Sequence, residues 1–148
     1  MTALPLSETL PRVLLIEDNE ADVRLLRDAF HQTNDRLVLD VAADAAEALC
    51  RLDSRSTAGN ELPDLILLDL NLPRMSGLEF LEQVKSRPDL RRIPVVVLTS
   101  SDAKSDVYKA YDLHANGYLI KPMGLSELRQ MAAIINHFWL DTVTLARR

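Results

Sequence analysis

The stretch DLILLDLNLPRMSG, residues 64–77, decides the fold. Its four consecutive apolar residues, 65–68, predict a short strand that is buried on both faces. Such strands are typical of a parallel sheet covered by helices on both sides. Asp69 follows this strand directly, so its carboxylate is expected at the edge of the sheet where open parallel sheets place their functional sites.

The same pattern extends in both directions from this stretch. Short segments rich in Val, Leu and Ile occupy residues 13–16, 37–41, 95–98 and 118–120. Patterns with apolar residues at helical spacing follow the five segments, beginning near Ala21, Asp44, Gly77, Ser101 and Ser126. Residues 55–61, RSTAGNE, predict a surface loop. Five strands that alternate with helices predict right-handed crossovers and an α/β fold with a parallel sheet.

Length and composition limit the function classes. The 148 residues predict one domain. With 17 basic and 22 acidic residues the net charge is −5, which argues against nucleic-acid binding because that needs a basic surface. No apolar run approaches the roughly 20 residues of a membrane span. The first residues, MTALPLSETLPR, do not resemble a secretory signal, so we expect a cytoplasmic protein.

Polar side chains follow four of the five predicted strands. Glu17 and Asp18 follow the first, Asp69 the third and Lys121 the fifth, while Thr99 ends the fourth. Carboxylates without His or Cys among them favour a hard cation, Mg²⁺ in a cell. A lysine and a threonine hydroxyl can hold a phosphoryl group, and a carboxylate can attack phosphorus. Together these residues predict phosphoryl transfer onto Asp69.

Four segments resemble the receiver domains of two-component response regulators: VLLIEDNEADVRLL, DLILLDLNLPRMSGLEFL, IPVVVLTSS and NGYLIKPM. The likeness runs from Arg12 to about Leu140, and it is strongest to the stand-alone receivers that partner phytochrome-type histidine kinases. It implies a doubly wound (βα)₅ fold of the flavodoxin kind with strand order 2-1-3-4-5. It also divides the chain into an N-terminal tail at 1–11, a receiver domain at 12–140 and a C-terminal extension of the last helix or tail at 141–148.

The resemblance implies a role for each matching position. Asp69 would be the phosphoacceptor and a Mg²⁺ ligand. Asp18 would bind the metal directly and Glu17 through water, and Asn71 would offer its backbone carbonyl.

Further positions are implied in the same way. Thr99 would bond the phosphoryl oxygens, and Lys121 would pair with them. Tyr118 would be the aromatic switch residue whose rotation follows Thr99. The peptide bond before Pro122 would be cis.

The implied function is that of a phosphoacceptor signalling protein, not an enzyme, that takes a phosphoryl group from a sensor histidine kinase of the phytochrome type. A phosphorelay intermediate for an unrelated histidine kinase and a scaffold that is never phosphorylated are the alternatives. A phosphatase of the haloacid-dehalogenase kind would need a general acid at Asn71. A flavodoxin would need phosphate-cradling amides where this chain has EDNEAD.

The last helix carries an apolar stripe broader than one core face requires. It either buries entirely against the sheet or continues into a partner. Since receivers pair through the fourth and fifth helices and the fifth strand, the second reading predicts a homodimer. The expected interface residues are Tyr108, Tyr111, Phe138, Trp139, Leu140 and Val143.

Overall fold

The computed structural model describes residues 10–58 and 62–146. Its strands are β1 (Arg12–Ile16), β2 (Val38–Ala42), β3 (Leu65–Leu68), β4 (Val95–Thr99) and β5 (Gly117–Ile120). Its helices are α1 (Glu20–Thr33), α2 (Ala45–Ala58), α3 (Gly77–Ser86), α4 (Lys104–Asp112) and α5 (Leu125–Ile135), which a π-helical segment (Asn136–Thr142) extends. Most of the predicted N-terminal tail, at residues 1–9, and the last two residues lie outside the described part.

The five strands form one parallel sheet in the order β2-β1-β3-β4-β5, which confirms the predicted topology. Its register aligns the carboxyl ends of the strands. Ile16 pairs with Leu68, and Thr99 pairs with Ile120. The residues that follow these strands therefore lie along one edge of the sheet.

Alternate strand residues face opposite sides of the sheet and enter two separate cores. In β1, Leu14 and Ile16 pack with α2 and α3, whereas Val13 and Leu15 pack with α1 and α5. All four residues of β3 are buried. The continuous apolar runs of the sequence thus reflect strands that are covered on both faces. Among the described residues, no helix has the length and apolar content to cross a bilayer.

Two local features differ from expectation. The loop predicted at 55–61 begins later than expected, because α2 stays helical as far as Ala58. Its Ser and Thr residues lower helix propensity only modestly, and Arg55 pairs with Asp40 at 3.1 Å. Residues 59–61 lie outside the described part. Beyond Ile135 the last helix continues in π-helical geometry only as far as Thr142, so the extension expected from residue 141 covers two residues, and residues 143–146 are not helical.

Gly77 allows the loop after β3 to pack against the start of α3. Its N–H donates to the Leu70 carbonyl at 3.1 Å. A Cβ at this position would lie 2.5 Å from the Asp69 carbonyl oxygen and 2.6 Å from the Leu70 Cα. Both contacts are backbone atoms, which cannot move aside as the end of a flexible side chain can, so only glycine fits here.

We expect Gly77→Ala to lower the free energy of unfolding by about 1–3 kcal/mol, as overpacking does. Gly117→Ala is the matched control, because its Cβ would meet Val96 methyl groups at 3.7 and 3.8 Å, an ordinary contact. Urea unfolding of both variants measures the effect. Equal midpoints for the two variants would contradict the prediction.

Candidate phosphoryl-transfer site

The backbone places four of the predicted residues at the carboxyl edge of the sheet. The Glu17 N–H donates to the Ala42 carbonyl at 3.0 Å, and the Asp69 N–H donates to the Ile16 carbonyl at 3.1 Å. The Lys121 N–H donates to the Thr99 carbonyl at 2.8 Å. The pairing of the sheet therefore continues past the strands and fixes the positions of these side chains.

Three carboxylates converge at this edge. Glu17, Asp18 and Asp69 each offer an oxygen, and these oxygens lie within 4.8 Å of one another. Glu17 and Asp69 are buried, at 2% and 5% exposure, whereas Asp18 is exposed. An oxygen-only cluster of this size fits a hard divalent cation, with Asp18 on the solvent side.

Both oxygens of Glu17 are already engaged. Oε2 accepts from the Asn19 N–H at 3.1 Å, and Oε1 accepts from Lys121. Burial raises the pKa of Glu17 from 4.5 to about 7 and outweighs the opposing hydrogen bond from Lys121. Near pH 7 the buried Glu17 side chain therefore either keeps a proton or needs a nearby cation to compensate its charge.

Lys121 is the positive centre of the site. Its ammonium contacts Glu17, lies 3.0 Å from Asp22 Oδ2 and lies 3.3 Å from Asp69 Oδ2. Burial lowers its pKa, but the hydrogen bonds to Glu17 and Asp22 outweigh this and raise it above the ordinary value. Lys121 is therefore held charged beside Asp69.

Asp69 is oriented by donors on both of its oxygens. The Thr99 hydroxyl donates to Oδ1 at 2.8 Å, and the Asn71 N–H donates to the same oxygen at 3.1 Å. Lys121 contacts Oδ2. Thr99 is fully buried, and its hydrogen bond already directs the hydroxyl at the carboxylate.

The protein-family model described as the response regulator receiver domain matches residues 13–133 of this chain. The chain belongs to this family. Response regulator Rcp1 of Synechocystis sp. is 44% identical over 134 residues, covering 90% of this chain and 91% of Rcp1.

Solved structures of response regulators are also similar to this chain. The phosphorylated cyanobacterial phytochrome response regulator RcpA superposes with a TM-score of 0.86 and 43% identity, over 93% of this receiver and 99% of RcpA. The Mn²⁺-bound form of Rcp1 gives a TM-score of 0.81 and 41% identity, over 92% of this receiver and 99% of Rcp1.

Two further predicted positions, Tyr118 and Pro122, lie in the described part of the chain. The Tyr118 hydroxyl of this receiver donates to the Ser101 carbonyl at 2.9 Å, so the half-buried ring contacts the loop that follows Thr99. Its role as a switch remains a prediction. The predicted cis bond before Pro122 is wrong, since none of the described residues has a cis peptide bond. The trans form is also the intrinsically preferred one, by about 0.5–1 kcal/mol.

The predicted interface residues divide into two groups. Tyr108, Tyr111 and Phe138 are exposed, at 68%, 49% and 50%. Trp139 and Leu140 are half-buried and pack against the core between α1, α5 and the sheet. The broad stripe of the last helix is therefore used in part within the receiver itself. Val143 is also half-buried and so belongs with Trp139 and Leu140.

Sequence reasoning missed Asp22, which contacts Lys121 from the first turn of α1. An acidic residue in that position is ordinarily explained by the helix dipole, so the sequence carries no separate signal for the contact. Sequence reasoning likewise missed Asp106, whose Oδ2 accepts from the Ser101 hydroxyl at 2.6 Å.

The pKa of Glu17 makes stability depend on pH. The folded protein retains the Glu17 proton up to about pH 7, whereas the unfolded chain loses it near 4.5. Without divalent metal, this group's contribution is complete below pH 4.5 and is lost as the pH rises through 7. We expect Glu17→Gln to remove this contribution, which is at most about 3 kcal/mol.

Urea unfolding in EDTA at about pH 5 and about pH 8 measures the difference between wild type and variant. Wild type should lose more stability than Glu17→Gln over this interval. The interpretation is wrong if the two proteins lose the same amount.

Proposed function

We propose that this receiver accepts a phosphoryl group on Asp69 from the phosphohistidine of a sensor histidine kinase. The arrangement around Asp69 is the observation that carries the proposal. Thr99 and Asn71 hold one carboxylate oxygen, Lys121 contacts the other, and Glu17 and Asp18 complete an acidic cluster next to it. A nucleophile, two classes of phosphoryl-binding donor and a cation site thus lie together.

In the proposed reaction an Asp69 oxygen attacks phosphorus, and the bond between phosphorus and the kinase histidine breaks. Asp18, Asp69 and the backbone carbonyl of Asn71 would hold Mg²⁺, with Glu17 acting through water. Mg²⁺ in this cluster would neutralise the phosphoryl oxygens during transfer. The engagement of both Glu17 oxygens with Asn19 and Lys121 supports an indirect role for that residue.

Phosphorylation would replace one negative charge at Asp69 by roughly two. Thr99 and Lys121 already contact Asp69, so only short movements would bring them onto phosphoryl oxygens. The Thr99 shift would reach Ser101, two residues further along the chain, and through it the Tyr118 hydroxyl. The surface formed by α4 and β5 would then report the state of Asp69.

The relatives support a histidine kinase of the phytochrome type as the partner. RcpA is described as a phytochrome response regulator, and the similarity extends over nearly the whole of both chains. We infer that this protein acts in the cytoplasm as a signalling component and that its output is a change in partner contacts.

With acetyl phosphate and Mg²⁺, we expect wild type to gain an acid-stable, alkali-labile phosphate. Asp69→Asn should lose the label entirely because the amide cannot act as the nucleophile. Asp28→Asn, an exposed position on α1, is the control and should label like wild type. Phos-tag electrophoresis or intact mass measures the product. Full labelling of Asp69→Asn would disprove the nucleophile assignment, and an unlabelled wild type would favour a scaffold.

Phosphotransfer from a panel of purified histidine kinases tests the partner. A phytochrome-type kinase should label the receiver fastest. Faster transfer from an unrelated kinase would favour the phosphorelay alternative.

We also propose that the exposed apolar side chains of α4, β5 and the π-helical segment mediate homodimerisation. Tyr108, Tyr111, Ile120 and Phe138 are each about half exposed or more. α4 packs against β5, and grouped apolar side chains mark a protein contact surface more often than isolated ones do.

Sedimentation velocity at about 50 µM should show a dimer, a concentration at which contacts of micromolar affinity form. Tyr108→Glu should shift the protein to monomer because it places a charge in the contact. Leu25→Glu is the control, since Leu25 is also exposed, at 40%, but lies on α1, outside the proposed contact. A monomer in both the free and the phosphorylated state would refute the dimer.

A further inference from the structure

The Lys121 ammonium has three protons and three carboxylate partners: Glu17, Asp22 and Asp69. Two of these partners, Glu17 and Asp69, belong to the acidic cluster that fits a divalent cation. Asp22 is not a member of that cluster. Among the described residues, it is therefore the partner of Lys121 that takes no part in cation or phosphoryl binding.

Asp22 is free to reach Lys121 because of how α1 begins. Asn19 caps the helix and accepts from the Asp22 N–H at 3.0 Å. In a complete capping box the acidic side chain three residues after the cap accepts from the cap N–H in return. Here the Asn19 N–H donates to Glu17 instead, at 3.1 Å.

The start of α3 provides an internal comparison. There Ser76 and Glu79 form both halves of the capping box, so the Glu79 carboxylate is occupied by its own helix. At the start of α1 the equivalent carboxylate, that of Asp22, turns to Lys121, which lies 99 residues further along the chain. The Asp22 carboxylate thus contacts Lys121 in the site instead of the N–H of Asn19 at the start of its own helix.

We propose that Asp22 is a positioning residue that anchors the Lys121 ammonium beside Asp69 and keeps it there when the metal cluster is occupied. This inference rests on the proposed function, in which Lys121 pairs with the phosphoryl group. It also links the first turn of α1 directly to the state of Asp69, since any displacement of Lys121 changes the Asp22 contact.

Glu20 separates this role from a helix-dipole effect. It lies in the same first turn of α1 and carries the same charge, but it is not one of the three carboxylates that contact Lys121. Asp22→Ala and Glu20→Ala therefore change the helix end alike, and only the first removes the anchor. Asp22→Asn keeps an oxygen acceptor without the charge and should give an intermediate result.

The first measurement uses the full chain in EDTA. Nitrogen-15 NMR of the lysine ammonium groups detects those whose protons exchange slowly because they are hydrogen-bonded and shielded, and the missing signal in Lys121→Arg assigns the one from Lys121. We expect this signal in wild type and Glu20→Ala and its loss in Asp22→Ala. An unchanged signal in Asp22→Ala would overturn the anchor.

The second measurement is phosphorylation by acetyl phosphate at saturating Mg²⁺. Asp22→Ala should slow it by about threefold to tenfold, the effect of one partly exposed charged contact, while Glu20→Ala reacts like wild type. Calorimetric Mg²⁺ affinity should be unchanged in Asp22→Ala, because Asp22 is not a ligand. Weakened Mg²⁺ binding, or a rate equal to that of Glu20→Ala, would overturn the proposal.

If wild type itself does not label, the proposed function fails, and the ammonium signal still decides whether Asp22 anchors Lys121.

Discussion

The rest of the site depends on the burial of one ammonium among several carboxylates at the carboxyl edge of a parallel sheet. Lys121, Glu17 and Asp69 are all largely buried, and their charges can be removed from water only because they contact one another. The carboxylates outnumber the ammonium, and the pKa of Glu17 is raised chiefly by its burial, with the neighbouring charge of Asp69 adding to the rise. Such a cluster fits a divalent cation, whose charge would compensate the excess of carboxylates.

The parallel sheet is what makes this arrangement possible. Antiparallel neighbours would send the ends of β1, β3 and β5 to opposite edges, whereas parallel pairing brings them all to one. The two apolar cores hold the strands in register from both sides, so the charged residues sit on a rigid base. Such buried ion pairs contribute little to net stability, and their presence here is better explained by chemistry than by folding.

Much of the fold was predictable because its signals are local. The apolar runs of β1, β3 and β4 mark strands covered on both faces, and all three form as expected. The end of α2 was not predictable from composition, because Ser and Thr weaken a helix without breaking it. Trp139 was assigned to a partner surface but packs partly inward, since the rotation of the last helix about its own axis depends on α1 and the sheet.

The candidate site also has features that the sequence predicts and features that depend on the tertiary structure. The sequence alone determined which side chains follow the strands, and the parallel topology then required Glu17, Asp18, Asp69, Thr99 and Lys121 to meet at one edge. Only the tertiary structure decided that Asp22 turns from its own helix to Lys121, and that the Tyr118 hydroxyl meets the Ser101 carbonyl. These contacts join segments far apart in the chain, and they depend on side-chain directions that packing sets and residue spacing does not record.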